Sequence, residues 1–187
     1  HRQYFDRPFL YGPAGASYPD NLERFTFLSR GAIELCKSLG WIPDVVHGHD
    51  WQAALVPVLL NTVEWLQPMH GAASVYSIHN LAYQGIFDGG AMFVTGLGPE
   101  HYNPGEFEHF GAMNLTKAAL THATALSTVS PTYAREIQTG AFGCGLDGVI
   151  RGRAADLRGI LNGIDTRDWD PATDIHLPAR YSAHPSR

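Results

Sequence analysis

Cysteine is nearly missing from this chain: its 187 residues hold two, Cys36 and Cys144. That is too few for a disulfide framework and suits a reducing compartment. No run of about 18 uncharged apolar residues occurs, so no membrane span is expected. The 13 Lys and Arg residues never cluster and the net charge is −5, which argues against a nucleic-acid or anionic-membrane surface. There is no G-x-x-x-x-G-K-[ST] phosphate loop, no G-x-G-x-x-G directly at the end of the first strand and no G-x-S-x-G elbow to expose a nucleophilic serine. Internal repeats and low-complexity segments are absent too. Residues 1–8 show no charged-then-apolar signal pattern. The chain opens on His1 in what reads as a loop, and residues 175–187 read as an irregular tail. Both ends are expected to be cuts in something longer.

What remains is ordinary globular material, 44% hydrophobic and 17% charged, long enough for one domain with a core of its own. Residues up to Pro19 are rich in Gly, Pro, Tyr and Phe and read as an ordered loop. Asp20, three residues before Glu23, predicts a capping box. The helix after it carries Leu22, Phe25, Leu28, Ala32, Leu35, Cys36 and Leu39 at three- and four-residue spacing, with Gly40 as its stop. Cys36 falls on that stripe as core packing. A short strand at 44–47 precedes an apolar helical run over 51–66, in which Pro57 predicts a late start or a kink. Residues 73–78 form a buried strand by composition. The glycine-rich stretch 81–105 reads as a long excursion, followed by a helix at 107–123 and a strand at 124–129. Ser130-Pro131 is a strong helix start, with Ser130 as cap and not as a catalytic hydroxyl. The glycines of 140–148 read as a connector. A short helix at 146–153 and a strand at 157–161 follow, the latter turning at Asn162-Gly163.

Strand and helix in alternation predict an α/β fold, a Rossmann-like parallel sheet with helices on both faces. The polar turns His47-Gly48-His49-Asp50, His79-Asn80, Ser130 and Asn162-Gly163 then fall on one sheet edge, where such folds bind ligands. Two chemistries suit that edge. His47-Gly48-His49 has metal-like spacing and, with Asp50 and His79, suggests a metal-dependent hydrolase. The later strand ends, however, offer only Ser130 and Asn162, which are poor ligands for zinc. The alternative is recognition of a hydroxyl-rich or phosphate-bearing ligand, such as a sugar or nucleotide sugar. Trp51, Tyr83 and Trp169 are candidate platforms for sugar faces, although partly buried packing is the more ordinary account of each.

Read together, four segments are more specific. They are Asp44-Val45-Val46-His47-Gly48-His49-Asp50-Trp51-Gln52, Ser77-Ile78-His79-Asn80-Leu81-Ala82-Tyr83-Gln84-Gly85, Ser130-Pro131-Thr132-Tyr133-Ala134-Arg135-Glu136-Ile137 and Gly159-Ile160-Leu161-Asn162-Gly163-Ile164-Asp165. In that order they resemble the bacterial glycogen synthase and plant starch synthase family. Tyr18-Pro19-Asp20-Asn21-Leu22-Glu23-Arg24-Phe25 and Trp169-Asp170-Pro171-Ala172-Thr173-Asp174 add to the match, which covers nearly the whole chain. The resemblance implies a retaining glucosyltransferase of two Rossmann-like domains. It moves glucose from ADP-glucose to the non-reducing end of an α-1,4-glucan, without a metal or covalent cofactor. His79 matches the family's active-site histidine. Asn162, Asp50 and Asn80 match polar contacts around sugar and diphosphate.

The family's glycine-rich, Lys-containing loop and its entire second domain have no counterpart here. Residues 1–187 are therefore expected to be most of an N-terminal, acceptor-side domain, inactive alone and prone to aggregate at an unpaired sheet edge. A non-catalytic glucan-binding or regulatory module is the alternative. The expected compartment is the cytoplasm for a bacterial protein and the plastid for a plant one.

Overall fold

The computed structural model describes residues 2–64 and 68–182. Its framework is a four-stranded parallel sheet in the order β1 (Val45–His49), β2 (Ala73–Ile78), β6 (Ala125–Thr128), β7 (Leu157–Gly159). One register row runs His49, Ser77, Ser127, Arg158 across all four strands. Side chains alternate across a strand, so Tyr76, Ile78 and Leu126 enter the core while His47, His49, Ser77 and Ser127 share the opposite face. The core lies between the sheet and helices α3 (Leu55–Asn61) and α4 (Leu115–His122), which pack on each other. Val58, Ala118, Ala119 and Leu120 are fully buried there. The strand at 73–78 matches its expected limits, and β1 runs two residues beyond its own, through His49.

Pro57 sits at the third position of α3. A proline there removes an N–H that would have no intrahelical partner. This is the late start that the sequence anticipates, and the helix closes at Asn61. The end of the expected run, residues 65 and 66, lies outside the described residues.

Helix α2 (Asn21–Ser38) stops as expected. Gly40 is left-handed (φ 62°), its N–H donates to the Lys37 carbonyl at 3.1 Å, and that of Trp41 donates to Cys36 at 3.0 Å. This is the paired bonding of a Schellman stop. Its start and inner face differ from expectation. The Asp20 carboxylate caps nothing, because Arg7 holds both its oxygens at 2.8 and 2.6 Å. The buried face is Asn21, Leu22, Arg24, Phe25, Thr26, Ser29 and Ile33, with Cys36 half-buried against the core. Leu28, Leu35 and Leu39 are exposed. The first turn of α2 is polar because Asn21 and Arg24 hold the opening segment, Asn21 donating to the Tyr11 carbonyl at 2.9 Å. Arg24, 2% exposed, donates to the carbonyls of Tyr4 (2.7 Å) and Leu10 (2.8 Å) and to Asn21 Oδ1 (2.6 Å). That opening segment also contains a helical turn, α1 (Arg2–Phe5).

The largest departure lies between β2 and β6. The excursion carries β3 (Ile86–Asp88), 3-10 turns at Gly89–Thr95 and Pro99–His101, and a hairpin of β4 (Glu108–His109) and β5 (Ala112–Asn114). These strands form a second, antiparallel sheet in the order β3-β5-β4. Helix α4 therefore begins at 115, not 107. Its cap is Asn114, whose side chain accepts the Lys117 N–H at 2.9 Å. Helices α5 (Pro131–Glu136) and α6 (Asp147–Gly152) complete the described fold. After β7 the chain is irregular, without a tight turn at Asn162-Gly163, and it stays so through residue 182. The last residues of the expected tail, 183–187, lie outside the described residues.

Candidate functional site

The ends of β1 and β2 are tied together by side chains. Asp50 extends the ladder by one bond, donating its N–H to the Ser77 carbonyl at 3.0 Å. It then turns with φ 52° and ψ −176°, a combination that is essentially reserved for glycine. That turn lets Oδ1 of Asp50 accept the backbone N–H of His79 at 2.8 Å. Nδ1 of His49 faces Nε2 of His79 at 3.1 Å. Behind them the His47 ring lies 4.2 Å from that of His49, and its Nε2 meets Ser77 Oγ at 2.7 Å. Ser77 in turn bonds Ser127. Desolvation of the His47 ring, and then the neighbouring His49 and His79, hold its pKa below the ordinary value.

The other two strand ends complete the edge. Ser130 caps α5 as expected, accepting the Tyr133 N–H at 2.9 Å, and the Tyr133 hydroxyl accepts the Leu81 N–H at 3.1 Å. The loop after His79-Asn80 is thereby fixed from α5. Gly159 passes so close to Ser130 that a Cβ would stand 2.3 Å from its carbonyl oxygen. Only glycine permits that approach, which brings residues 160–162 to the edge.

Two neighbouring cavities result. A smaller one of about 200 Å³ is lined by His47, His49, Ser77, His79, Ser127 and Asn162, with Thr128, Val129, Ile160 and Leu161. A larger one of about 720 Å³ is lined by Tyr11, Ser17, Tyr18, Asn21, Asp50, Trp51, Gln52, Asn80 and residues 82–87. The four candidates thus divide. His79 and Asn162 share the smaller cavity, and Asp50 and Asn80 the larger. Part of Asn80's capacity is spent locally, since its Oδ1 accepts the Ala82 N–H at 3.0 Å.

Of the aromatic candidates, Tyr83 is exposed in the larger cavity, while Trp169 lines neither. Trp51 does both jobs considered for it. It lines the larger cavity and packs edge-on against Phe25, with centroids 4.7 Å apart. The sequence reading missed Tyr11, Ser17 and Gln84. The segment from Tyr18 to Phe25, already matched to a family, held the signal for Tyr18 and Asn21. Gln84 is buried and donates to the carbonyls of Leu81 (3.1 Å) and Cys144 (3.0 Å). Among the described residues no group of three His, Cys, Asp or Glu is placed to hold a metal ion. The nitrogens of His47 and His49 are turned to different partners, Ser77 and His79. The edge instead offers hydroxyls, amides, imidazoles and one carboxylate beside aromatic rings, groups that bind polyhydroxyl ligands.

Comparison with known proteins agrees with this chemistry. A family model described as the starch synthase catalytic domain matches residues 1–152. Glycogen synthase 1 of Geobacter sulfurreducens is 52% identical over 183 residues, 97% of this chain and 36% of the relative. Glycogen synthase of Rhodopirellula baltica is 48% identical over 184 residues, 96% of this chain and 36% of the relative. The chain thus spans little more than a third of the length of these relatives. Among solved structures, the catalytic domain of starch synthase IV from Arabidopsis thaliana, bound to ADP and acarbose, superposes with a TM-score of 0.82. It is 34% identical, and the match covers 97% of this chain and 37% of that one. With the family model spanning most of its length and the fold and strand-end motifs in agreement, this chain belongs to the starch synthase catalytic domain family.

Proposed function

We propose that this chain supplies the acceptor-side half of a glucosyltransferase. The whole enzyme would pass glucose from ADP-glucose to the non-reducing end of an α-1,4-glucan, glycogen or starch, with retention of configuration. The observation that carries this reading is the pair of adjoining cavities. One is walled by aromatic rings, Asp50 and Asn80, and the other by His79 and Asn162. A growing glucan end fits the first, with Tyr83 and Trp51 against sugar faces and Asp50 and Asn80 toward hydroxyls. The transferred glucose lies against His79, with Asn162 as a further polar contact. Such a transfer develops oxocarbenium character at the sugar and charge on a departing diphosphate. Positioned dipoles therefore serve it better than a strong nucleophile. The ADP and acarbose in the Arabidopsis structure support a nucleotide and a glucan-like ligand as partners.

In this reading no metal or covalent cofactor takes part. Residues 1–187 form most of an N-terminal domain, and a second domain brings the cations that hold the diphosphate. The protein acts in the cytoplasm of a bacterium, as its relatives' source suggests; no helix among the described residues is long and apolar enough to cross a membrane. This chain alone is expected not to turn over. Isothermal titration with maltohexaose and, separately, ADP-glucose tests the proposal, with His79→Ala as comparator. Maltohexaose should bind, and His79→Ala should lower affinity for any ligand that reaches the smaller cavity. Failure of both ligands to bind at millimolar concentration would overturn the assignment. Glucan binding indifferent to His79→Ala would favour a non-catalytic glucan-binding module. Sustained glucose transfer by the chain alone would overturn the half-site reading.

A further inference from the structure

We propose that His49 is a positioning residue that fixes the tautomer and ring orientation of His79. The proposal rests on the reading of His79 as a group that meets the sugar, and it adds a residue to that machinery. Nδ1 of His49 and Nε2 of His79 face each other at 3.1 Å, with ring centroids 5.3 Å apart. Only one proton fits between two nitrogens so placed, so one must donate and the other accept. Whichever role Nε2 of a neutral His79 takes, Nδ1 is bound to the opposite one. The polarity of the nitrogen left for a ligand is thereby tied to the tautomer of His49, so a His49 held in one form holds His79 in one form.

Two further features make His49 a firm partner. Its ring is stacked on His47, and His47 is held through Ser77 to Ser127 in the middle of the sheet. The next residue, Asp50, grips the backbone N–H of His79 at 2.8 Å. The dipeptide His49-Asp50 therefore clamps His79 at ring and main chain together. The left-handed turn at Asp50 is what aims that carboxylate back across the strands. The titratable groups facing this pair are His47 behind His49 and Asp50 beside His79. Desolvation keeps His47 disposed to be neutral, so an uncharged ring backs the contact.

Long-range proton–nitrogen NMR of the histidine-labelled chain near pH 8 reads tautomers directly. Wild-type His79 should show the limiting nitrogen shifts of one neutral tautomer. In His49→Phe, which keeps a ring but no nitrogen, those shifts should move to a population average. His49→Gln, which keeps a hydrogen-bonding group at that place, should move them less. Maltohexaose or ADP-glucose affinity, for whichever ligand His79→Ala weakens, should fall about tenfold in His49→Phe, as expected for one lost orienting hydrogen bond, and less in His49→Gln. Averaged shifts in the wild type, or an unchanged His79 spectrum in folded His49→Phe, would overturn the proposal. If His49→Phe does not fold, the wild-type spectrum and His49→Gln decide it. A changed spectrum with no ligand sensitive to either His49→Phe or His79→Ala upholds the positioning and sinks the sugar reading instead.

Discussion

The cavity around His79 is lined by residues that lie on strands of the parallel sheet or within three positions of their ends. The cavity beside it is walled largely by two segments outside that sheet, around residues 11–21 and 80–87. The first inherits its geometry from the ladder. Ser77 and Ser127 are partners in one register row, and His79 follows the last paired residue of β2. The second depends on side chains that reach across the fold. Arg24 gathers the opening segment by its carbonyls, Arg7 holds Asp20, and Gln84 is pinned between Leu81, Cys144 and Asn114. A ladder loses little when one side chain changes. A wall held by single side chains does not share that tolerance, and substitutions at its fastenings should damage the larger cavity while sparing the smaller.

Gly85→Ala is expected to give the largest effect. Gly85 has φ 63°, and an added Cβ would lie 2.7 Å from Cε3 of Trp51. Left-handed strain of about 1–2 kcal/mol and overpacking of about 1–3 kcal/mol sum to roughly 3 kcal/mol of lost stability by urea denaturation. Maltohexaose binding should be lost. The His79 ring shifts should stay as in the wild type, and their movement would break the separation of the two regions. Asn114→Ala comes next, at roughly 2 kcal/mol, because the side chain both caps α4 and donates to Gln84 Oε1 at 2.6 Å. A loss below about 0.5 kcal/mol, the low end for a cap alone, would mean that Gln84 does not need its partner.

The same contrast decides what could be read from the sequence. The strand at 73–78 was legible because its short β-branched and aromatic run suits a buried strand and little else. Gly40 and Ser130-Pro131 were legible because the backbone demands those residue types. The parallel sheet and its polar edge follow from such local signals. The hairpin at 108–114 gave no warning. Its turn is Phe110-Gly111, both with positive φ, and the Asn-Gly or Asp-Gly that announces such turns is missing. Apolar residues in 107–113 fit a helical stripe equally well, so the expected helix starts eight residues before α4 does. The inner face of α2 differs from its periodicity because Asn21 and Arg24 are buried by bonds to the opening segment and Ser29 by one to Gln52, facts that spacing along the helix cannot carry. For the same reason the strand-end pattern and the family resemblance, which together single out His79, Asn162, Asp50 and Asn80, do not tell which pair shares a cavity.

Acidification tests the sheet edge and the excursion together. His47, desolvated and beside two imidazoles, and His109, desolvated and near Lys117, both have pKa values below 6.5. The unfolded chain therefore takes up protons that the folded one refuses, so stability falls as pH drops through 6.5 toward the lowered values. Glu106 acts at lower pH. Burial works against its charge, but His101, His122 and Asn103 donate to it, and its pKa ends below 4.5. Its share is present above 4.5 and is lost as pH falls below that. His47→Asn should flatten the first decline in denaturation midpoints between pH 7.5 and 5.5 without touching the second. An unaltered slope would show that His47 is not held neutral by the edge.

The smallest stability change is expected for Asp50→Gly, at the residue where the two cavities meet. Asp50 lines the larger one, steadies His79 of the smaller, and occupies a backbone region that costs a non-glycine residue about 1–3 kcal/mol. Asp50→Ala keeps the strain and gives up a charge-assisted acceptor, so roughly 2 kcal/mol should be lost. Asp50→Gly gives up the same acceptor but relieves the strain, and the two should nearly offset, leaving stability within about 1 kcal/mol of the wild type. Affinity for the glucan should fall in both, since the carboxylate is gone from each. That split, with one variant stable and neither binding, would show a strained turn kept for the direction in which it aims a side chain. Equal destabilisation by alanine and glycine would show that the backbone at Asp50 carries no strain, and the clamp on His79 would then be a hydrogen bond held at no conformational cost.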